Sequence, residues 1–167
     1  MKIIFFAPYN ISENIALPLD SAPRIRSKNV YESLQEICEV ILIGGDAWER
    51  RGKIKKLLKK NLNEVEGLYM ENPNCSLKGF DIDFLKKINA CNIPMSMFYR
   101  DAHWKFSNYA KTLYQKLKYN RKFNKLTRQV IFFLKTFHTI YSPTKEFAEF
   151  MGLNPENLLP PAGEINY

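Results

Sequence analysis

Apolar residues in this chain fall into short continuous runs, separated by longer stretches in which they recur at helical spacing. Ile3-Ile4-Phe5-Phe6, Val40-Ile41-Leu42-Ile43 and Ile93-Pro94-Met95-Ser96-Met97 are such runs, each bounded by polar or turn residues. A strand buried on both faces has this signature, since no alternate position needs to be polar. The pattern predicts strands over Lys2 to Ala7, Glu39 to Ile43, Val65 to Met70, Pro94 to Phe98 and His138 to Tyr141. Between the second and third strands Ile54, Leu57, Leu58 and Leu62 form a helical stripe with lysines opposite. Crossovers of this length suit parallel pairing, and strand alternating with helix argues for helices on both sheet faces. The expected fold is therefore α/β, a Rossmann-like three-layer sandwich with a mostly parallel sheet, formed by residues 1–167 as one domain.

Turn and cap residues refine the boundaries. Ser21 is placed as the N-cap of the first helix, ahead of Ala22-Pro23, because proline suits a first turn whose amides lack partners; that helix is expected to end near Gln35. Ser107 is expected to cap a long helical region broken or bent near Tyr119-Asn120, and Ser142-Pro143 to open the last helix. Asp81 or Asp83 is expected to begin the helix after the third strand, so the Asp81-Ile82-Asp83 triplet reads as a cap and first turn rather than a metal site. Gly44-Gly45-Asp46 reads as a strand-ending turn, with no third glycine and no helix-cap pattern behind it. Asn157 to Gly163 reads as a short extended piece.

Composition narrows the class. With 46% hydrophobic and 14% aromatic residues the chain is globular rather than disordered. No apolar run approaches the roughly 20 residues of a membrane span, and the opening MKIIFFAPYN turns polar too soon for a signal peptide, so a cytosolic location is expected. Cys38, Cys75 and Cys91 are odd in number and widely spaced, which indicates neither a disulfide framework nor a metal knot. The formal net charge of +8 is unevenly placed: no acidic residue lies between Ala102 and Lys145, and Arg50, Arg51, Lys53, Lys55, Lys56, Lys59 and Lys60 form a second basic cluster. Such patches favour an anionic partner, a membrane surface, phosphates or nucleic acid, unless they are simply solvated helix faces.

Candidate chemistry collects at expected strand ends, where open α/β sheets bind ligands. Tyr9 and Asn10 follow the first strand, Glu71 and Asn72 the third, and Ser142 the fifth. After the fourth comes Phe98-Tyr99-Arg100-Asp101-Ala102-His103-Trp104-Lys105-Phe106, which joins an arginine, a carboxylate, one of two histidines and four aromatics. A surface ion pair of Arg100 and Asp101, with Trp104 and Phe106 in the core, is the alternative reading. Arg24 and Arg26 lie in the first turns of the first helix, where the macrodipole disfavours cations and an anion would offset the cost. The loop from Pro8 to Ser21 contains no glycine, which excludes a dinucleotide fingerprint or a P-loop there.

Taken in order, Ser21-Ala22-Pro23-Arg24-Ile25-Arg26, Glu71, the block Phe98 to Trp104, Tyr141-Ser142-Pro143 and Leu159-Pro160-Pro161-Ala162-Gly163 resemble the amino-terminal domain of GT-B glycosyltransferases, in particular bacterial enzymes that assemble capsule and exopolysaccharide. The resemblance covers essentially the whole chain, and the glycine-rich turn that many members carry after the first strand is here replaced by the glycine-free Ile11 to Ala22 loop. It implies an acceptor-binding half, with a nucleotide-sugar donor held by a separate donor-binding carboxyl-terminal domain or subunit and no cofactor or metal in this half. By itself such a half is expected to be inactive. The acceptor would be a sugar or a lipid-linked saccharide. The implied catalytic residues are Arg100, Asp101 and His103. Arg24, Arg26, Tyr9, Asn10, Glu71, Asn72 and Ser142 would bind substrate, with Tyr99 and Trp104 as faces for sugar stacking. The basic faces would rest on the anionic inner face of the cell membrane. Two other readings stand beside this one: a non-catalytic partner subunit of a split glycosyltransferase, and a nucleic-acid-binding module using the basic, aromatic Trp104 to Arg128 region. The second is disfavoured because Tyr109, Tyr114, Tyr119 and Phe123 partly follow the helical stripe.

Overall fold

The computed structural model describes residues 1–11, 22–72, 77–106 and 112–159, with the side chains of Ala22, Pro23, His103, Phe106 and Leu113 excepted. Among these residues, five strands form one sheet: β1 (Lys2–Ala7), β2 (Glu39–Gly44), β3 (Gly67–Asn72), β4 (Met95–Tyr99) and β5 (Thr139–Tyr141), in the order β2-β1-β3-β4-β5. Every pairing is parallel, with Phe5 beside Leu42 on one side and Tyr69 on the other. The helices are α1 (Ala22–Ile37), α2 (Ala47–Leu57), α3 (Gly79–Ala90), α4 (His103–Phe106), α5 (Leu113–Thr136) and α6 (Lys145–Met151).

The period-two alternation of each strand divides the core. Ile4 and Phe6 point to one face, where they join Met70, Met97 and residues of α2, α3 and α5, including Ile54, Phe84, Leu85 and Phe133. Phe5 and Ala7 point to the other, with Val30, Tyr31 and Leu34 of α1 and Tyr69 of β3. The chain thus winds outward from β1 in one direction through α1, and in the other through α2. This reversal lies between β1 and β3, and a crevice opens at the carboxyl end of the sheet wherever strand order reverses in this way.

Several local expectations change. Asp46 does cap a helix: its side chain accepts from the amides of Trp48 and Glu49, while Glu49 accepts from the Asp46 amide, so the turn that ends β2 also starts α2. Gly45, at φ 117°, supplies a left-handed conformation that a side chain would resist. Asp81 stands in the first turn of α3, as expected, but the helix begins earlier, at Gly79, with Lys78 in the N-cap position. Asp81 lies fully buried two residues inside the helix and takes a paired contact from Arg50 of α2, 3.0 Å from Nε and 2.8 Å from Nη2. Arg50, counted by sequence in a basic cluster, therefore belongs to the interior. The amide of Lys78 also donates to Asp81.

The long helix α5 runs without a break through Tyr119-Asn120, its N-cap is Thr112 in a reciprocal arrangement with Gln115, and Ser107 lies outside the described residues. Thr144, not Ser142, caps α6. Ser142 instead pairs with Leu158 in a parallel bridge, its amide donating to Asn157 and its carbonyl accepting from Leu159. Strand β3 extends two residues further than its apolar run, so Glu71 and Asn72 are strand residues rather than loop residues.

Candidate functional site

A polar cluster occupies the β1/β3 crevice, inside an otherwise apolar layer. The alternation that turns Phe5 toward α1 also turns Tyr69 and Glu71 of β3 that way. Glu71 is 2% exposed and meets Arg26 of α1, itself 3% exposed, across 3.3 Å from Nε to Oε1. Tyr69 donates to the same carboxylate oxygen at 2.7 Å. The Arg26 guanidinium lies over the Phe98 ring of β4, 4.0 Å from its centroid, so the charge has an aromatic face on one side and a carboxylate beside it. Tyr9, just beyond β1, hydrogen-bonds Ser27, the next residue of α1. Three strands and one helix thus hold the cluster in register.

Burial sets its electrostatics. Glu71 is held above the usual glutamate range by removal from water, and the Tyr69 hydroxyl and the charges of Arg26 and Arg100 work against that rise. Burial likewise pushes the Tyr9 phenol up to about 12. Tyr69 is raised by burial and by the neighbouring Glu71 charge. Both phenols are therefore neutral hydrogen-bonding groups at physiological pH.

Arg100 follows β4 at the rim, half-buried, near enough for its charge to favour the ionised forms of Glu71 and Tyr9. Among the described residues its guanidinium takes no hydrogen bond or ion pair. Asp101 stands next to Arg100, half-buried and engaged with other groups. His103 opens α4, and its side chain lies outside the described residues.

The other sequence candidates divide. Asn10, after β1, and Arg24, in the first turn of α1, are half-buried, and Asn72 is fully buried at the end of β3. Tyr99 and Trp104 are corrected: they are 2% and 7% exposed, on the opposite sheet face among the large core, and offer no face to a sugar. Their polar tips satisfy one another, Trp104 Nε1 donating to the Tyr99 hydroxyl at 3.1 Å, and Trp104 packs edge-on to Phe123. Ser142 is fully buried and ties the segment after α6 to β5. His138 is exposed rather than packed in the core, and accepts from the Met95 amide through Nδ1 at the end of the sheet away from the crevice.

Sequence reasoning missed Tyr69 and Ser27. The signal for Tyr69 was available, since it lies two residues before Glu71 and so on the same strand face. Ser27 had none beyond adjacency to Arg26. Among the described residues no group of three histidines, cysteines or acids is placed to hold a metal ion, and no helix is long and apolar enough to cross a membrane. No protein-family model matches the chain, and no curated protein matches it.

Proposed function

We propose that this chain is the acceptor-binding half of a GT-B-type glycosyltransferase that builds a polysaccharide or a lipid-linked saccharide, the nucleotide-sugar donor being held by a separate donor-binding domain or subunit. The observation that carries the reading is the crevice at the strand-order reversal, where a buried, mutually matched Arg26–Glu71 pair feels the charge of Arg100, a cation without an ion pair among the described residues. Glycosyl transfer asks for such a rim. The acceptor oxygen bonds to the anomeric carbon as the bond from that carbon to the diphosphate oxygen breaks, and the departing anion needs a fixed cation. Arg100 supplies it from this side. Asp101 takes the acceptor proton directly or positions His103 to take it. Arg24, Asn10 and Tyr9 border the space for acceptor hydroxyls.

The exposed cations of α2 and the turn after it, Arg51, Lys55, Lys56, Lys59 and Lys60, suit contact with an anionic membrane surface carrying lipid-linked acceptors, each adding about 1 kcal/mol there. The deciding experiment measures sugar transfer from a nucleotide sugar by the protein isolated from its own cells, and by its Asp101→Ala form. Loss of transfer with an unchanged circular dichroism spectrum supports the reading. Retained turnover removes Asp101 from the chemistry, and absence of transfer by the unaltered protein with every nucleotide sugar and acceptor extract removes the activity.

A further inference from the structure

A second recess lies away from the crevice, between α3 and α5, where a groove of about 520 Å³ opens on the outer side of the helical layer. Lys86 of α3 stands on one wall; Arg121, Lys125 and Arg128, at i, i+4 and i+7, form the other. All four are exposed, and none makes a hydrogen bond or ion pair among the described residues. Like charges at this spacing repel, so the helix carries them at a cost. The floor contains Ile82, Phe132 and Gln129. Gln129 is 7% exposed and its amide nitrogen donates to the Leu77 carbonyl at 2.9 Å, but its oxygen is buried and accepts nothing among the described residues. A buried acceptor without a donor is costly, and it asks for a hydroxyl or amide hydrogen from a ligand.

We propose that this groove binds a carbohydrate bearing phosphate or carboxylate. The four cations answer the anion, Gln129 Oε1 answers a sugar hydroxyl, and Ile82 and Phe132 offer an apolar floor for the ring's carbon face. A bare anion leaves the Gln129 oxygen unmatched. A single-stranded nucleic acid calls for a succession of aromatic faces on which bases stack, whereas Phe132 is the one aromatic among the described residues lining this groove.

Calorimetric titration of the purified chain tests this with glucose 6-phosphate, trigalacturonate, maltotriose, inorganic phosphate and an oligothymidylate. Saturable binding of at least one charged saccharide is expected, weakened tenfold or more in Arg121→Ala/Arg128→Ala, with no binding of maltotriose. The phosphate and carboxylate arms tell which anion the groove takes. Because both arginines are exposed, that variant is expected to fold normally, and its circular dichroism spectrum verifies it. The proposal is overturned if neither charged saccharide binds, if the double variant binds as tightly, if inorganic phosphate matches the saccharides, or if the oligothymidylate outcompetes them.

Discussion

Arg26 of α1 and Glu71 of β3 meet 3.3 Å apart in a site that leaves both side chains 3% exposed, with the Phe98 ring closing over the guanidinium. Removing one partner leaves the other charged and dry, a loss of about 3–5 kcal/mol. Arg26→Met is therefore expected to lower the denaturant midpoint sharply, whereas Arg26→Met/Glu71→Leu, which removes both charges, should recover much of the loss. Chemical denaturation of the two variants measures the difference. Equal destabilisation would mean that the pair is not coupled.

The same burial gives Glu71 a readable pH signature. Its carboxyl is raised above the ordinary 4.5 in the folded chain, so the folded state holds the proton more tightly than the unfolded state. The contribution of this group to stability is greatest below the unfolded pKa and falls as pH rises through the folded one. A carbon-detected NMR titration should place the Glu71 midpoint above the other glutamates. Tyr69→Phe should move it higher still, because the lost hydroxyl favours the ionised form. A midpoint at or below 4.5 would contradict the buried geometry.

A second buried pair separates stability from function. Arg50 grips Asp81 with two nitrogens and also donates to the Gly45 carbonyl at 2.8 Å, joining α2, α3 and the turn after β2. Asp81→Asn is expected to cost several kcal/mol, whereas Asp83→Asn, on the exposed side of α3, should stay within about 0.5 kcal/mol of the parent. Thermal unfolding with and without magnesium or manganese completes the test. A stabilisation by metal that either substitution abolishes would restore a metal role for this acidic triplet.

What the sequence made legible was the part governed by hydrophobic period. The runs around Ile4, Leu68 and Met97 became the three central parallel strands because a strand buried on both faces has no other composition open to it, and the run around Ile41 became the half-buried edge strand β2. Placing Glu71 and Arg100 at the carboxyl edge followed from chain direction alone. The fate of aromatics beside that edge was not legible, because Tyr99 and Trp104 lie one or a few residues from Arg100 yet turn to the opposite face. Whether an aromatic after a strand enters the core or lines a cleft depends on which sheet face its residue meets, and a one-residue shift reverses it. Cap identity failed for a similar reason: Ser107, Thr112, Ser142 and Thr144 are chemically equivalent caps, and tertiary packing chooses among them.

Trp104 offers a direct check on that correction. As a core residue bonded to the Tyr99 hydroxyl and packed on Phe123, its truncation to Ala should cost about 3–5 kcal/mol. In a Trp48→Phe background, which removes the other, exposed indole, its fluorescence should be blue-shifted and unmoved by saccharides. A red-shifted emission quenched by an acceptor sugar would return Trp104 to the binding surface.

Arg100 gives the converse case. A half-buried cation with no ion pair among the described residues contributes little to folding, and its charge bears on Glu71 and Tyr9 only at a distance. Arg100→Ala is accordingly expected to leave the unfolding midpoint within about 0.5 kcal/mol of the parent. If the departing diphosphate leans on this guanidinium, the same change should reduce glycosyl transfer by roughly 10²–10³-fold, the scale of losing one fixed charge-stabilising donor. Arg100→Lys keeps the charge without the fork and should recover only part of the rate. Unfolding and transfer measured on the same three proteins separate the alternatives: an unchanged rate with unchanged stability would leave Arg100 a surface residue, and a large loss of stability would make it part of the buried Arg26–Glu71 network instead.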